Sequence, residues 1–371
     1  MKKILLFLLV LSGSALDAQT TTNDYYNSGY NKTLEEDFTG AIADYDKALQ
    51  LDPSICDIYY NRAVAKENLA NYTGAIEDYS KSIQCNPNDT DAYLARAYLK
   101  HGNDDLIEAL ADYNKAISIS PNFTNAYYGR GNVKYNQQDL QGAIDDYSKA
   151  IQLDPSHVSA YTNRALVRHE KKDYAGALAD FNKVIELAPN ESSHYVNRGL
   201  TKHEMGDYTG AILDFNTAIS LNINEENAYY NRGNTENELK QYTAAVTDYT
   251  KAIEINPNSA MAYNNRGVAK EGLLDLQGAV QDYSKAIELD PTYSDSYYNR
   301  ANVKYETKDY QGSIIDYTKV IELFPADAES FYGRGMAKIA NGNKDGGCAD
   351  ISKAILLGSE DAKAEKENSC K

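Results

Sequence analysis

The chain has 371 residues with 32 Tyr against 7 Phe and no Trp, a bias that an ordinary mixed core does not produce. Its 42% hydrophobic content and 8 Pro exclude a disordered or collagen-like chain. With 37 Lys+Arg against 54 Asp+Glu the net charge is −17, and a chain without surplus cations is a poor general binder of nucleic acid or anionic lipid.

Lys2 and Lys3 precede an apolar run from Ile4 to Leu11, which gives way to Ser12, Gly13, Ser14 and Ala15. A charged start, a short apolar core and a small-residue exit form the layout of a secretory signal peptide, placed at residues 1–18. Cleavage after Ala15 and after Ala18 both stay open. The run falls short of the roughly 20 apolar residues that cross a bilayer, so no membrane insertion is expected. Export to the periplasm or the medium is the expectation.

Proline then recurs every 34 residues, at Pro53, Pro87, Pro121, Pro155 and Pro189, skips Ile223, and resumes at Pro257, Pro291 and Pro325. A fixed period of this size marks a stacked repeat. With proline at position 32, the units are 22–55, 56–89, 90–123, 124–157, 158–191, 192–225, 226–259, 260–293, 294–327 and a degenerate 328–359. Position 4 is Tyr in nine units and Phe331 in the last; position 8 is Gly or Ala; position 20 is Ala from Ala41 to Ala279; position 24 is aromatic from Tyr45 to Tyr317. Spacings of 4–8–11 and 20–24–27 are helical, so each unit reads as two amphipathic helices, A and B, that approach through small residues. Asp at position 16 (Asp105, Asp139, Asp173) is expected to turn the chain and cap helix B.

The run from Ala126 to Pro155, AYYGRGNVKYNQQDLQGAIDDYSKAIQLDP, resembles the tetratricopeptide repeat, and the likeness covers nearly all of the chain after residue 21. It departs in having Tyr at position 4 where the family has Trp, Arg at position 7 where it has Leu, and a degenerate tenth unit. The resemblance implies an all-α fold: a right-handed superhelical solenoid of ten repeats whose A helices line a concave face, with residues 360–371 as a short cap.

Arg stands at position 7 in nine repeats, from Arg62 to Arg334, and Asp at position 23 in all ten, from Asp44 to Asp350. A half-buried guanidinium needs a carboxylate, so the columns should pair. Ser28 replaces Arg in the first repeat, which fits pairing of each Arg with the Asp of the preceding repeat but leaves Asp350 alone.

By the same resemblance, positions 2, 5, 6, 9, 12 and 13 face a ligand. They hold no Lys or Arg and ten acids: Asp57, Asp91, Asp295, Glu329, Glu67, Glu271, Glu170, Glu204, Glu238 and Glu306. The clamp that chaperone-tail binders of the family use is absent. Position 6 instead supplies Asn27, Asn61, Asn163, Asn197, Asn231, Asn265 and Asn299, flanked at position 5 by Tyr26, Tyr60, Tyr128, Tyr230, Tyr298 and Tyr332. An amide both donates and accepts, so this column suits the backbone of an extended peptide; a similar asparagine ladder lines the O-GlcNAc transferase superhelix. The competing reading is that these Asn serve hydrogen bonds inside the stack. A ligand of this face should be a basic or neutral protein or peptide.

Cys56, Cys85, Cys348 and Cys370 are an even set in a chain expected to be exported. The antiparallel hairpin of repeat two brings 56 near 85, and a 348–370 bridge would pin the tail. His101, His169 and His203 share position 12 without a third ligand or nucleophile in register. The leading expectation is therefore a non-catalytic exported scaffold without cofactor or metal. A glycan- or cell-wall-binding module is the alternative, and an enzyme working through His169 and His203 is a third reading. Self-association stays open.

Overall fold

A computed structural model describes residues 21–370, and the expected export segment lies outside them. Among the described residues every regular element is a helix. The chain divides into two compact units, one ending at Leu187 and the other starting at Ala188. The first holds the helix over residues 21–34 and those from Phe38–Leu51 to Tyr174–Leu187, five hairpins in all; the second holds five more, from Ser192–Glu204 to Lys344–Leu356, and a terminal helix, Glu360–Ser369.

Repeat two shows the pattern. Its A helix, Cys56–Asn68, has 13 residues and its B helix, Tyr72–Cys85, has 14. Ala63 of the first and Ala75 of the second are fully buried, and the small side chains let Tyr79 fill the gap between the helices. This core cluster also borrows from the next repeat: Ala92 and Leu99 close over Tyr79 and Ile83. No hairpin buries its apolar face alone, which is why stacking stabilises the array.

The turn between A and B helices has a conformation that composition hides. Position 15 is left-handed in every repeat, and eight of the ten residues there are not glycine: Glu36, Ala70, Asp104, Gln138, Lys172, Lys240, Leu274 and Lys308, with φ between 57° and 67°. Ala70 N–H donates to the Glu67 carbonyl and Asn71 N–H to the Lys66 carbonyl, the paired bonds of a Schellman cap. Only Gly206 and Gly342 take this conformation without steric cost. Leu274 has φ 62° and is 80% exposed, so its side chain repays little of the strain. Leu274→Gly should therefore stabilise the protein by about 0.5–1 kcal/mol, read as a higher urea midpoint at unchanged slope.

Position 16 then caps helix B. Asp37, Asp139, Asp173, Asp207, Asp275 and Asp309 each accept from the N–H of a glycine three residues on. The glycine lets the carboxylate sit close, since a Cβ at Gly142 would lie 2.1 Å from the Asp139 carboxylate as it stands. Asp105, expected to cap, makes no such bond; Glu108 stands where those repeats have glycine.

Candidate functional site

The charged columns settle first, because they fix the A helices. Each Arg at position 7 meets the Asp of its own repeat, not of the preceding one as expected. Arg62 donates from Nε and Nη2 to Asp78 at 2.7 and 2.6 Å, and Arg334 meets Asp350 at 2.8 and 2.9 Å. It is Nη1 that reaches back to the preceding repeat, to position 25: Asp46 from Arg62, Ser80 from Arg96, Asn114 from Arg130. The guanidinium is forked, so two arms satisfy the hairpin and the third ties one hairpin to the last. Asp44 of the first repeat, lacking an Arg, takes Ser28 and Lys32 instead. In nine repeats a Lys or Arg at position 11 also pairs with the same Asp, as Lys66 does with Asp78 at 2.7 Å. The Arg face also lies over the ring at position 4, 5.8 Å away for Arg62 and Tyr59.

With those residues held, positions 5, 6 and 9 of the A helices form a hydrogen-bonded strip. Asn61 Nδ2 donates to Tyr26 Oη at 3.1 Å, Asn163 to Tyr128 at 3.2 Å and Asn265 to Tyr230 at 3.1 Å, each link crossing to the preceding repeat. Asn163 and Asn265 also donate to Asn132 and Asn234, both at 3.0 Å, while Asn299 donates to Asn264 at 3.2 Å. Behind this strip the rings of Tyr60, Tyr128, Tyr230 and Tyr298 pack on Tyr79, Tyr147, Tyr249 and Tyr317 at 5.4–6.0 Å. The stack thus uses the amide donors of these Asn. The carbonyls of Asn61, Asn163 and Asn299 accept nothing within the described residues, and Asn197 and Asn231 make no side-chain hydrogen bond there. For Asn231 the reason is plain: Val196 stands where a Tyr would accept.

Asn132, Asn234 and Asn302 at position 9 were not legible as part of this strip. Each accepts from a buried Tyr hydroxyl, Tyr147 and Tyr249 at 2.8 Å and Tyr317 as well, so they bridge core and surface. Glu67 and Glu271 do the same for Tyr79 and Tyr283. Their signal was coincidence of Asn or Glu with Tyr at position 24, which one column read alone does not show.

Sequence models described as TPR repeat match residues 29–69, 105–138, 131–172, 233–273 and 275–308, and models described as tetratricopeptide repeat match 79–111, 57–89, 158–191, 194–222 and 294–327. The chain belongs to the tetratricopeptide repeat family. Among solved structures, a tetratricopeptide repeat protein from Parabacteroides merdae is 20% identical at a TM-score of 0.51, over 67% of this chain and 99% of that one. The C-terminal part of a TPR repeat-containing protein from Cytophaga hutchinsonii is 18% identical at 0.54, over 65% and 98%. Both share the fold. YrrB, described as a TPR protein with an unusual peptide-binding site, is 26% identical at 0.46, over 50% and 96%. No curated protein matches the chain.

The remaining sequence-marked groups of this tetratricopeptide chain sit apart from the strip. Cys56 lies against Cys85 and Cys348 against Cys370, with Cα–Cα distances of 5.5 and 5.6 Å, within bridging range. The second pair ties the terminal helix, whose Ala362 is buried against Ile351 and Ala354, to the last hairpin. His203 Nδ1 meets Thr235 Oγ1 at 2.9 Å and its ring packs on Tyr208, while His169 packs on Tyr174. His101 meets the Asn136 amide at 2.9 Å, and burial holds its imidazole below the usual histidine range. Among the described residues no three His, Cys, Asp or Glu are grouped to hold a metal, and no helix is long and apolar enough to cross a membrane.

Proposed function

We propose that the chain is an exported, non-catalytic scaffold whose A-helix face holds an extended segment of a basic or neutral protein. The carrying observation is a strip of Asn carbonyls left open beside half-buried Tyr rings, on six positions per repeat that hold ten acids and no cation. Carbonyls at the repeat spacing accept backbone N–H groups without reading side chains, and Tyr adds amphipathic area at small entropic cost. Asn61, Asn163, Asn197, Asn231, Asn265 and Asn299, with Tyr60, Tyr128, Tyr230 and Tyr298, are the proposed contacts. Two disulfide-ready cysteine pairs suit an oxidising compartment and support the exported reading.

Asn197 and Asn231 allow a clean test, because removing them breaks no hydrogen bond of the strip. Immobilised residues 19–371 and the Asn197→Ala, Asn231→Ala variant would be challenged with envelope extract. The expected result is a protein retained by the first, lost by the second and not eluted by added glycan, with equal urea midpoints. Equal retention by both would remove the strip from the binding site.

A second reading has its own observation. In the first unit Tyr98, 64% exposed, and Tyr72 border a cavity of about 650 Å³ with Glu67, Asn68 and His101. Exposed rings beside hydrogen-bonding groups suit a sugar face, so elution by glycan, or retention lost on Tyr98→Ala alone, would favour the glycan-binding module.

A further inference from the structure

At position 31, where helix B gives way to the next loop, nine repeats carry a small or polar residue: Asp52, Asn86, Ser120, Asp154, Ala188, Asn222, Asn256, Asp290 and Gly358. Asp52, Asn86, Asp154, Asn222, Asn256 and Asp290 accept the N–H two residues on and close the loop. Repeat nine breaks the column with Phe324, which caps helix Tyr310–Leu323 through its backbone N–H alone and is 54% exposed. An aromatic ring there serves neither the loop nor the core.

Its surroundings give it a use. Phe324, Leu323 and Tyr298 border a cavity of about 800 Å³ within the second unit, rimmed by Asp295, Asp327 and Glu329 and lined by no Lys, Arg or His. Burial, and next to it the charges of Glu329 and Asp327, push the Tyr298 hydroxyl above its ordinary range, so the acids act on the cavity interior. The same loop geometry recurs between repeats seven and eight, around Tyr230 and Tyr293, as a cavity of about 600 Å³. There Asn256 stands in place of the Phe. The hollow therefore recurs in the stack, and of these two cavities the one at repeat nine is lined by the exposed Phe324 ring.

We propose that this edge cavity is a docking pocket for one apolar side chain, aromatic or long aliphatic, that is followed directly by Lys or Arg in an extended segment. Apolar burial against Phe324, Leu323 and Tyr298 supplies the affinity. The three carboxylates select the flanking cation, because an acidic neighbour would be placed among like charges. The proposal deepens the reading of the chain as a holder of basic segments, and adds a fixed point that sets register along a face which otherwise reads only backbone.

The probe is a short fluorescein-labelled Gly/Ser peptide carrying Phe-Lys-Lys, beside one with Ala for Phe and one with Glu for both Lys, titrated by anisotropy against the full mature chain. The first should bind about tenfold more tightly than either control. Phe324→Asn, which restores the residue of three other repeats, should abolish that preference, with an unchanged circular dichroism spectrum and melt. Asp295→Asn with Glu329→Gln should weaken the first peptide and narrow the gap to the Glu control. Equal binding of all three peptides, no binding of any, or an unaltered preference in Phe324→Asn would overturn the proposal. The Asn197→Ala, Asn231→Ala variant keeps the pocket: if it still prefers the first peptide while retaining the envelope protein normally, the strip reading fails and the pocket stands. The reverse outcome leaves the strip without the pocket.

Discussion

Asp316→Ala is expected to lower stability by about 3–5 kcal/mol, more than any substitution on the A-helix face. The residue is 1% exposed. Its Oδ1 accepts Arg300 Nη2 at 2.7 Å, and Oδ2 accepts Arg300 Nε at 2.9 Å and Lys304 Nζ at 2.8 Å. Removing the carboxylate leaves two half-buried cations side by side without a counter-ion, and each has already given up most of its water. The loss does not stay in repeat nine, since Arg300 Nη1 also holds Ser284 of repeat eight at 2.9 Å. Urea unfolding followed by circular dichroism reads the effect. The decisive comparison is Asp316→Leu with Arg300→Met and Lys304→Met, which removes the charges together and should recover most of the stability. If Asp316→Ala alone costs less than about 1 kcal/mol, the pair behaves as solvated surface charge and the ladder does not hold the stack.

The ladder also shows what a repeat discloses and what it hides. Ten copies in one register exposed the hairpin, the small-residue columns and the aromatic at position 24, because the same packing problem is solved each time. Arg62 lies 18 residues after Asp44 and 16 before Asp78, so spacing cannot choose between them. The choice comes from the hairpin, which turns Nε and Nη2 onto its own B helix and leaves Nη1 for the preceding repeat. The left-handed turn is hidden in the sequence for a different reason: its signal is glycine, and eight repeats adopt the conformation without one. In the Asn column the sequence marked the strip but not its polarity, because the direction of an amide depends on Tyr and Asn neighbours 31 and 35 residues away. Phe324 and the polar column it breaks were not among the features read from the sequence, and its cavity exists only once two hairpins stack.

A second large effect is expected at the one place where the buried charge layer is inverted. Nine repeats hold a cation at position 11, and repeat seven holds Glu236. Glu236, on helix Glu226–Glu238, faces Asp248 and Tyr249 of helix Tyr242–Ile255, with Arg232 beside it on its own helix. Arg232 is already committed to both Asp248 oxygens, at 2.5 and 2.6 Å, and Glu236 Oε2 is buried without a hydrogen-bond partner. Burial first, and the Asp248 charge second, push the Glu236 carboxyl up to about 7, with Arg232 opposing. A carboxyl raised on folding binds its proton more tightly in the native state. Its contribution is therefore fully present below the ordinary glutamate value near 4.5 and is lost as pH rises through about 7. After allowance for solvent screening, stability should fall by about 1–3 kcal/mol across that window.

Glu236→Gln should remove the pH-dependent loss, and Glu236→Lys should go further by giving Asp248 the second cation found in the other repeats. At pH 8 both variants should be more stable than the parent, Lys more than Gln. Near pH 5 the gap to Gln should close, because the parent is then protonated. Taking the difference between parent and variant cancels His101, whose lowered imidazole shifts stability in the opposite direction as pH rises. Urea midpoints at pH 5 and pH 8 are enough. A Gln difference that is the same at both would mean that Glu236 stays ionised in water and that repeat seven is no softer than its neighbours. A difference that opens only at the higher pH would mark this hairpin as the place where a stack of otherwise matched charges first yields, since each repeat is supported only by those beside it.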